Sequence, residues 1–222
     1  MMTNLFSIFD PISSSNLSLN WISLIIPVML MPMMYWMLPS RFQLIFFKLM
    51  KLFMKENKMI ITHHNINSMI FLSIFILILM NNFMGLFPYI FTSTSHMNMT
   101  LSISLSIWIS FMLYGWLNNY NNMLIHLVPM TTPYILMPLM VMIETISNII
   151  RPITLAIRLS ANMISGHLLL SLLGSSMQNM SPIILLMMIF IQILLMILEM
   201  SVSIIQSYVF STLSTLYSNE SY

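Results

Sequence analysis

The sequence predicts an all-α integral membrane protein. We expect about five transmembrane helices, one amphipathic interfacial helix, and a last pair of helices that are long and strongly tilted in a hairpin. Three observations lead there. Of 222 residues, 59% are hydrophobic and only 5% are charged, whereas soluble domains carry about 25% charged residues. The mean hydropathy is +0.92, so a soluble globule of this size could not cover itself. The few charges are also unevenly spread. Five of the seven basic residues (Arg41, Lys48, Lys51, Lys55 and Lys58) fall within residues 41–58, and residues 59–143 contain no Asp, Glu, Lys or Arg. The whole of 1–222 reads as a single membrane domain.

Composition excludes several chemistries. The chain has no cysteine, so disulfides, iron–sulfur clusters and thiolate metal sites are ruled out. It has 28 Met, with abundant Ile and Asn. That bias suggests an A+T-rich genome and a code that reads an Ile codon as Met, as animal mitochondrial codes do. The N-terminus shows neither a basic n-region nor an Arg-rich amphipathic stretch. The expectation is a chain that is mature, or made in the organelle that uses it.

Residues 1–20 are polar and read as an N-terminal loop or interfacial segment. The first span is expected over 21–38, 18 residues that include Pro27 and Pro32, just long enough to cross. Residues 41–58 differ from the rest. Phe42, Leu44, Ile45, Leu49, Leu52 and Phe53 lie mostly on one helical face, and Lys48, Lys51, Lys55 and Lys58 recur on another. This is an interfacial helix whose lysines meet anionic lipid. The positive-inside rule puts it on the matrix or cytoplasmic side and the N-terminus outside.

The second span is expected over 68–91 and the third over 99–117. Ser102, Ser104, Ser106 and Ser110 of the third suit helix contacts better than lipid. Asn118 to Asn122 form a polar turn, and 126–133 an irregular re-entry. Two long apolar segments follow, 137–173 with Pro152 as a kink and 182–217 with Ser181 as N-cap and Pro182 at the first helical position. Thirty-six residues make about 54 Å of helix against a hydrocarbon core of about 30 Å. A fully embedded helix would tilt about 55°, well beyond the usual roughly 20°. Such a hairpin has a surface shaped to embrace something, unless each helix simply protrudes. There is no P-loop, GxGxxG or GxSxG, and no inverted repeat of the transporter kind. The histidines (His63, His64, His96, His126, His167) do not supply two facing haem-ligating pairs. The first four read as interfacial or loop residues.

Ionisable residues at bilayer depth are functional candidates by default. Glu144, Arg151 and Arg158 are spaced seven apart, which keeps them on one stripe. Asn148 and Asn162 extend that stripe. His167 lies nine residues past Arg158, about half a turn round. Glu199, Ser203 and Gln206 form a second polar stripe at i, i+4 and i+7. A hairpin pivoting near residue 178 would bring Glu199 within a turn of Arg158. Arginine does not lose its proton, whereas carboxylates and imidazole exchange theirs. A fixed cation flanked by titratable groups at different depths suits proton conduction with a barrier in it. The competing reading is an Arg–Glu pair that only stabilises the bundle. For Arg151 that structural reading is preferred, for Glu144 the two are balanced, and for Arg158 with Glu199 and His167 function is preferred.

The stretches VMIETISNIIRPITLAIRLSANMISGHLLL (141–170) and ILEMSVSIIQSYVF (197–210) closely resemble subunit a of the F-type ATP synthases, in its mitochondrially encoded animal form. NNFMGLFPYIF (81–91) and HLVPMTTPYILMPLMVMIE (126–144) are similar to it as well. The resemblance implies a proton-conducting stator subunit, with no catalysis of its own, that offers two half-channels to the carboxylates of a rotor ring. Arg158 would be the essential arginine facing that c-ring. Glu199 and His167 would line the inlet half-channel and Glu144 the matrix-side outlet, with Asn162 and Gln206 as polar neighbours of the arginine. The family pairs Gln206 with Arg158 and Glu199 with His167, which needs a pivot nearer residue 182. Implied partners are the c-ring, peripheral-stalk and other membrane-sector subunits, the lipid bilayer and protons. No cofactor, nucleotide or nucleic acid is implied. The implied place is the mitochondrial inner membrane. The competing class is a proton-translocating or assembly subunit of a respiratory complex without a rotor, which would be expected to carry intramembrane Lys.

Overall fold

The computed structural model describes residues 5–13, 17–32, 36–61, 67–128, 133–177 and 180–221. Every element among them is helical. Among the described residues, four helices are long and apolar enough to cross a membrane. The first apolar stretch is not one of them. It begins as a 3-10 turn, Leu19–Leu24, and continues as a single α-helical turn, α1 (Ile26–Met29). Pro27 lies in that first turn, and neither Pro27 nor Pro32 can donate a helical hydrogen bond. The expected continuous span over 21–38 is therefore a broken segment in its described part.

The basic helix α2 (Arg41–Ile60) starts where Ser40 and Gln43 form a reciprocal capping box. Its circumference divides into three sectors rather than two. Phe53 and Asn57 are buried against the bundle, and the Phe53 ring stacks on Phe75 at 4.4 Å. Arg41 and the four lysines are exposed, as are Phe42, Ile45, Leu49 and Leu52. Two-faced periodicity anticipated the last two sectors. Phe53 belongs instead to the protein-facing one.

α3 (Asn67–Gly85) ends earlier than the expected 68–91. Beyond it Pro88 and Tyr89, whose φ is 69°, turn the chain. α4 (Met97–Asn118) carries the serine series. Only Ser104 of that series is buried. Ser102, Ser106 and Ser110 point outward, and each donates its hydroxyl to the carbonyl three residues earlier. Bonding to the helix's own carbonyls leaves those three hydroxyls satisfied on the exposed surface of the chain. α5 (Tyr120–His126) follows α4 after the single residue Asn119. His63, His64 and residues 129–132 lie outside the described residues, as does the side chain of His126.

α6 (Met137–Ser176) and α7 (Pro182–Ser221) have 40 residues each, about 60 Å of helix apiece. α6 runs through Pro152 as one helix. Ser181 accepts the Leu185 N–H on its backbone carbonyl, as an N-cap residue does. α7 packs most extensively against α3, α6 against α4, and the two long helices meet along a shared seam. The apolar core is small: Ile78, Leu155, Leu159 and Phe210, flanked by Ile74, Leu77, Ile103, Ile107, Leu213 and Tyr217.

Burial on α7 is inverted relative to a soluble helix. Ser203, Gln206, Ser207, Ser211, Ser214, Thr215 and Ser218 are buried, while Ile183, Leu186, Phe190, Leu194, Ile197 and Ile205 are exposed. In lipid, apolar side chains need no shelter, and small residues are favoured at the interface because they let helices approach closely.

Candidate functional site

The candidate site follows the α6–α7 seam. Asn162 Nδ2 donates to Gln206 Oε1 at 3.2 Å. One turn further out, a Cβ built on Gly166 would stand 2.8 Å from the Glu199 carboxyl. Asn162 is thus level with Gln206, and Gly166 with Glu199. The pivot falls at or just beyond residue 182, not at 178. This changes one expected pairing. Arg158 sits eight residues from the level of Glu199, about 12 Å along the helix, and makes no ion pair among the described residues. Side-chain spacing alone could not reveal this, because the pivot depends on how far α6 extends before the connection.

Glu199 is 8% exposed, and neither carboxyl oxygen has a hydrogen-bond partner among the described residues. His167 is half-buried. It hydrogen-bonds to the Gly85 backbone, while its Nε2 has no such partner. The Phe9 ring meets the imidazole edge-on at 6.4 Å. Both ionisable groups line a cavity of about 290 Å³ with Asn162, Gly166, Leu86 and Ser203. A cavity of that size holds several waters.

A second cavity of about 460 Å³ opens at the other end of the seam. Glu144, Asn148, Arg151 and Glu220 line it, with aromatic walls from Trp108, Trp116 and Tyr217. Arg151 Nη2 is 3.6 Å from Glu144 Oε1, and Arg151 Nη1 donates to Glu220 Oε2.

Arg158 belongs to neither cavity wall. It lies between them on α6, exposed on the same open face as Ala161, Asn162 and Ser165. The structure therefore brings His167 together with Glu199, Asn162 with Gln206, and Glu144 with Arg151. It leaves Arg158 facing outward.

Sequence reasoning passed over two contributors. Glu220 reads as a charge in the tail, but the length of α7 carries it back to Arg151. Phe9 sits in an N-terminal segment that shows no periodicity or motif. The buried serines of α7 did leave a signal, since 203, 207, 211 and 218 recur at helical spacing.

Described residues that are all helical in their elements, with four potential spans and a carboxyl group buried along the seam of the two longest helices, define a multi-pass membrane protein. The family model "ATP synthase A chain" matches residues 17–219, and the chain belongs to that family. It is 56% identical over 222 residues to the ATP synthase subunit a of Drosophila simulans, covering 99% of each chain. It is also 56% identical over 225 residues to that of Locusta migratoria, covering 100% of each, and 55% identical over 224 residues to that of Anopheles gambiae, covering 99% of each.

Proposed function

We propose that this chain is the proton-conducting stator subunit of a mitochondrial rotary ATP synthase, a multi-pass protein of the inner membrane. Its N-terminus faces the intermembrane space and α2 lies on the matrix side. Protons enter through the cavity of His167 and Glu199, and protonate a carboxylate on the c-ring. The ring carries the proton around through lipid. The carboxylate then meets the exit cavity at Glu144 and releases it. Arg158 keeps the arriving carboxylate ionised and separates the two half-channels. Asn162 and Gln206 shape the polar wall beside it. The membrane potential supplies about 2.3 kcal/mol per proton per 100 mV.

The observation that carries this reading is the position of Arg158. It is an exposed guanidinium on a spanning helix, without an ion pair among the described residues, between two cavities that each hold a carboxylate. A permanent charge at bilayer depth needs a counter-charge, and on this face a partner subunit must bring it. A ring of carboxylate-bearing helices does so. The two over-long helices offer it an extended surface.

Replacing Arg158 by Gln tests the reading. ATP synthesis should be lost while the assembled complex conducts protons passively. Normal ATP-driven pumping by Arg158→Gln would overturn it. Arg158→Lys separates this function from an assembly role. It keeps activity if the charge only holds partners together, and loses most of it if the arginine works against the ring.

A further inference from the structure

The cavity holding Glu144 contains an arrangement that the proton path does not use. Arg151 stands between two carboxylates that come from different helices. Glu144 and Arg151 lie on α6, and Glu220 lies in the last turn of α7, 69 residues away from Arg151. The Arg151 Cζ also sits 5.2 Å over the centre of the Tyr217 ring. All four side chains line the same cavity. The Glu220 side chain is 61% exposed and that of Arg151 29%, so the guanidinium is held inward and the Glu220 carboxyl closes over it.

An ion pair this exposed adds little stability on its own. Its geometry is more informative. A guanidinium presents separate N–H groups in a rigid fork and stacks on an aromatic face. Here one arm reaches Glu144, the other reaches Glu220, and Tyr217 supports the plane. We propose that Arg151 is a positioning residue: it latches the end of α7 onto α6 and sets the Glu144 carboxyl on the wall of this cavity. The latch narrows access from the aqueous side at which α7 ends. Its bearing on proton flux rests on the reading of Glu144 as the exit carboxylate.

The test uses the assembled complex and two readouts. Arg151→Met removes the charge but keeps a long side chain. It removes both ion pairs, to Glu144 and to Glu220, and should slow ATP synthesis about fivefold, as loss of about 1 kcal/mol of partly exposed pairing would. Glu220→Gln breaks the same latch from the exposed end of α7 and should slow it by a similar factor. The double variant should be no slower than Arg151→Met, because the Arg151–Glu220 contact that Glu220→Gln removes is already lost in Arg151→Met.

The chain has no cysteine of its own, so Asn148→Cys reports on the cavity alone. A water-soluble maleimide should label it several-fold faster when either latch residue is replaced. Unchanged labelling, or rate losses that multiply in the double variant, would overturn the latch. If Arg151→Met does not assemble, Glu220→Gln carries both readouts. A Glu144→Gln variant with full ATP synthesis would overturn the exit reading instead, and the labelling result would still decide the latch.

Discussion

Gly166 shows how one residue sets the geometry of the cavity proposed as the inlet. Its missing side chain is the space into which the Glu199 carboxyl fits, with Cδ and Oε1 both 2.8 Å from where a Cβ would be. Gly166→Ala must displace that carboxylate, which is packed between two helices. We expect about a tenfold loss of proton flux, measured as passive conduction by membrane vesicles, with the complex still assembled. Gly174 in the same helix would gain a Cβ with nothing within 4 Å of it, so Gly174→Ala should leave conduction unchanged. Glu199→Gln keeps the shape and removes the exchangeable charge. It should slow proton entry without affecting assembly, and unchanged flux would exclude Glu199 from the path. The ionisable candidates were legible in the sequence because charge is so rare at bilayer depth. Spacing alone put Glu199 near Arg158; only the family resemblance paired it with His167, with which it shares a cavity. Which carboxyl faces which imidazole depends on helix register, and the residues carry no mark of it.

At the scale of the element, α7 buries a stripe of hydroxyl residues alongside the single core ring of Phe210. Ser207, Ser211 and Thr215 are fully buried. Each hydroxyl donates to a carbonyl three residues earlier, so the interface contains no orphaned donor from these three. The stripe lets α7 approach its neighbours closely, and bulk there should be harmful. Ser211→Leu should destabilise the extracted complex by about 1–3 kcal/mol, seen as a lower denaturation temperature in detergent. Ile205→Leu, on the exposed face, should change it by less than about 0.5 kcal/mol. Hydropathy located α7 within a few residues. It did not show which side is buried, because in lipid apolar content no longer marks the inside. The same ambiguity applies to α4, where only Ser104 of the four serines is buried within the chain.

For the whole molecule, the arrangement of charge carries the proposed orientation. The exposed basic sector of α2 lies near the C-terminal part of α7, where the Tyr208 hydroxyl donates to Glu56 Oε2 at 3.3 Å. The Arg151–Glu220 latch involves the end of that same helix. The inlet cavity lies further back along α7, beside Gly85 at the far end of α3. A cysteine introduced at Lys51 should react with an impermeant maleimide from the matrix side only. Labelling from the intermembrane space would invert the topology and exchange the inlet and outlet.

The sequence by itself determined the membrane class, three of the long helices to within a few residues, the start but not the end of α3, and the short list of ionisable side chains. Each of these is written in local composition and periodicity. Only the tertiary structure decided that Gly166 rather than Arg158 lies opposite Glu199, and that Glu220 returns to Arg151. These are relations between segments far apart in the chain. They depend on where α6 stops and how closely α7 can pack, and therefore on the summed fit of many small side chains rather than on any one residue.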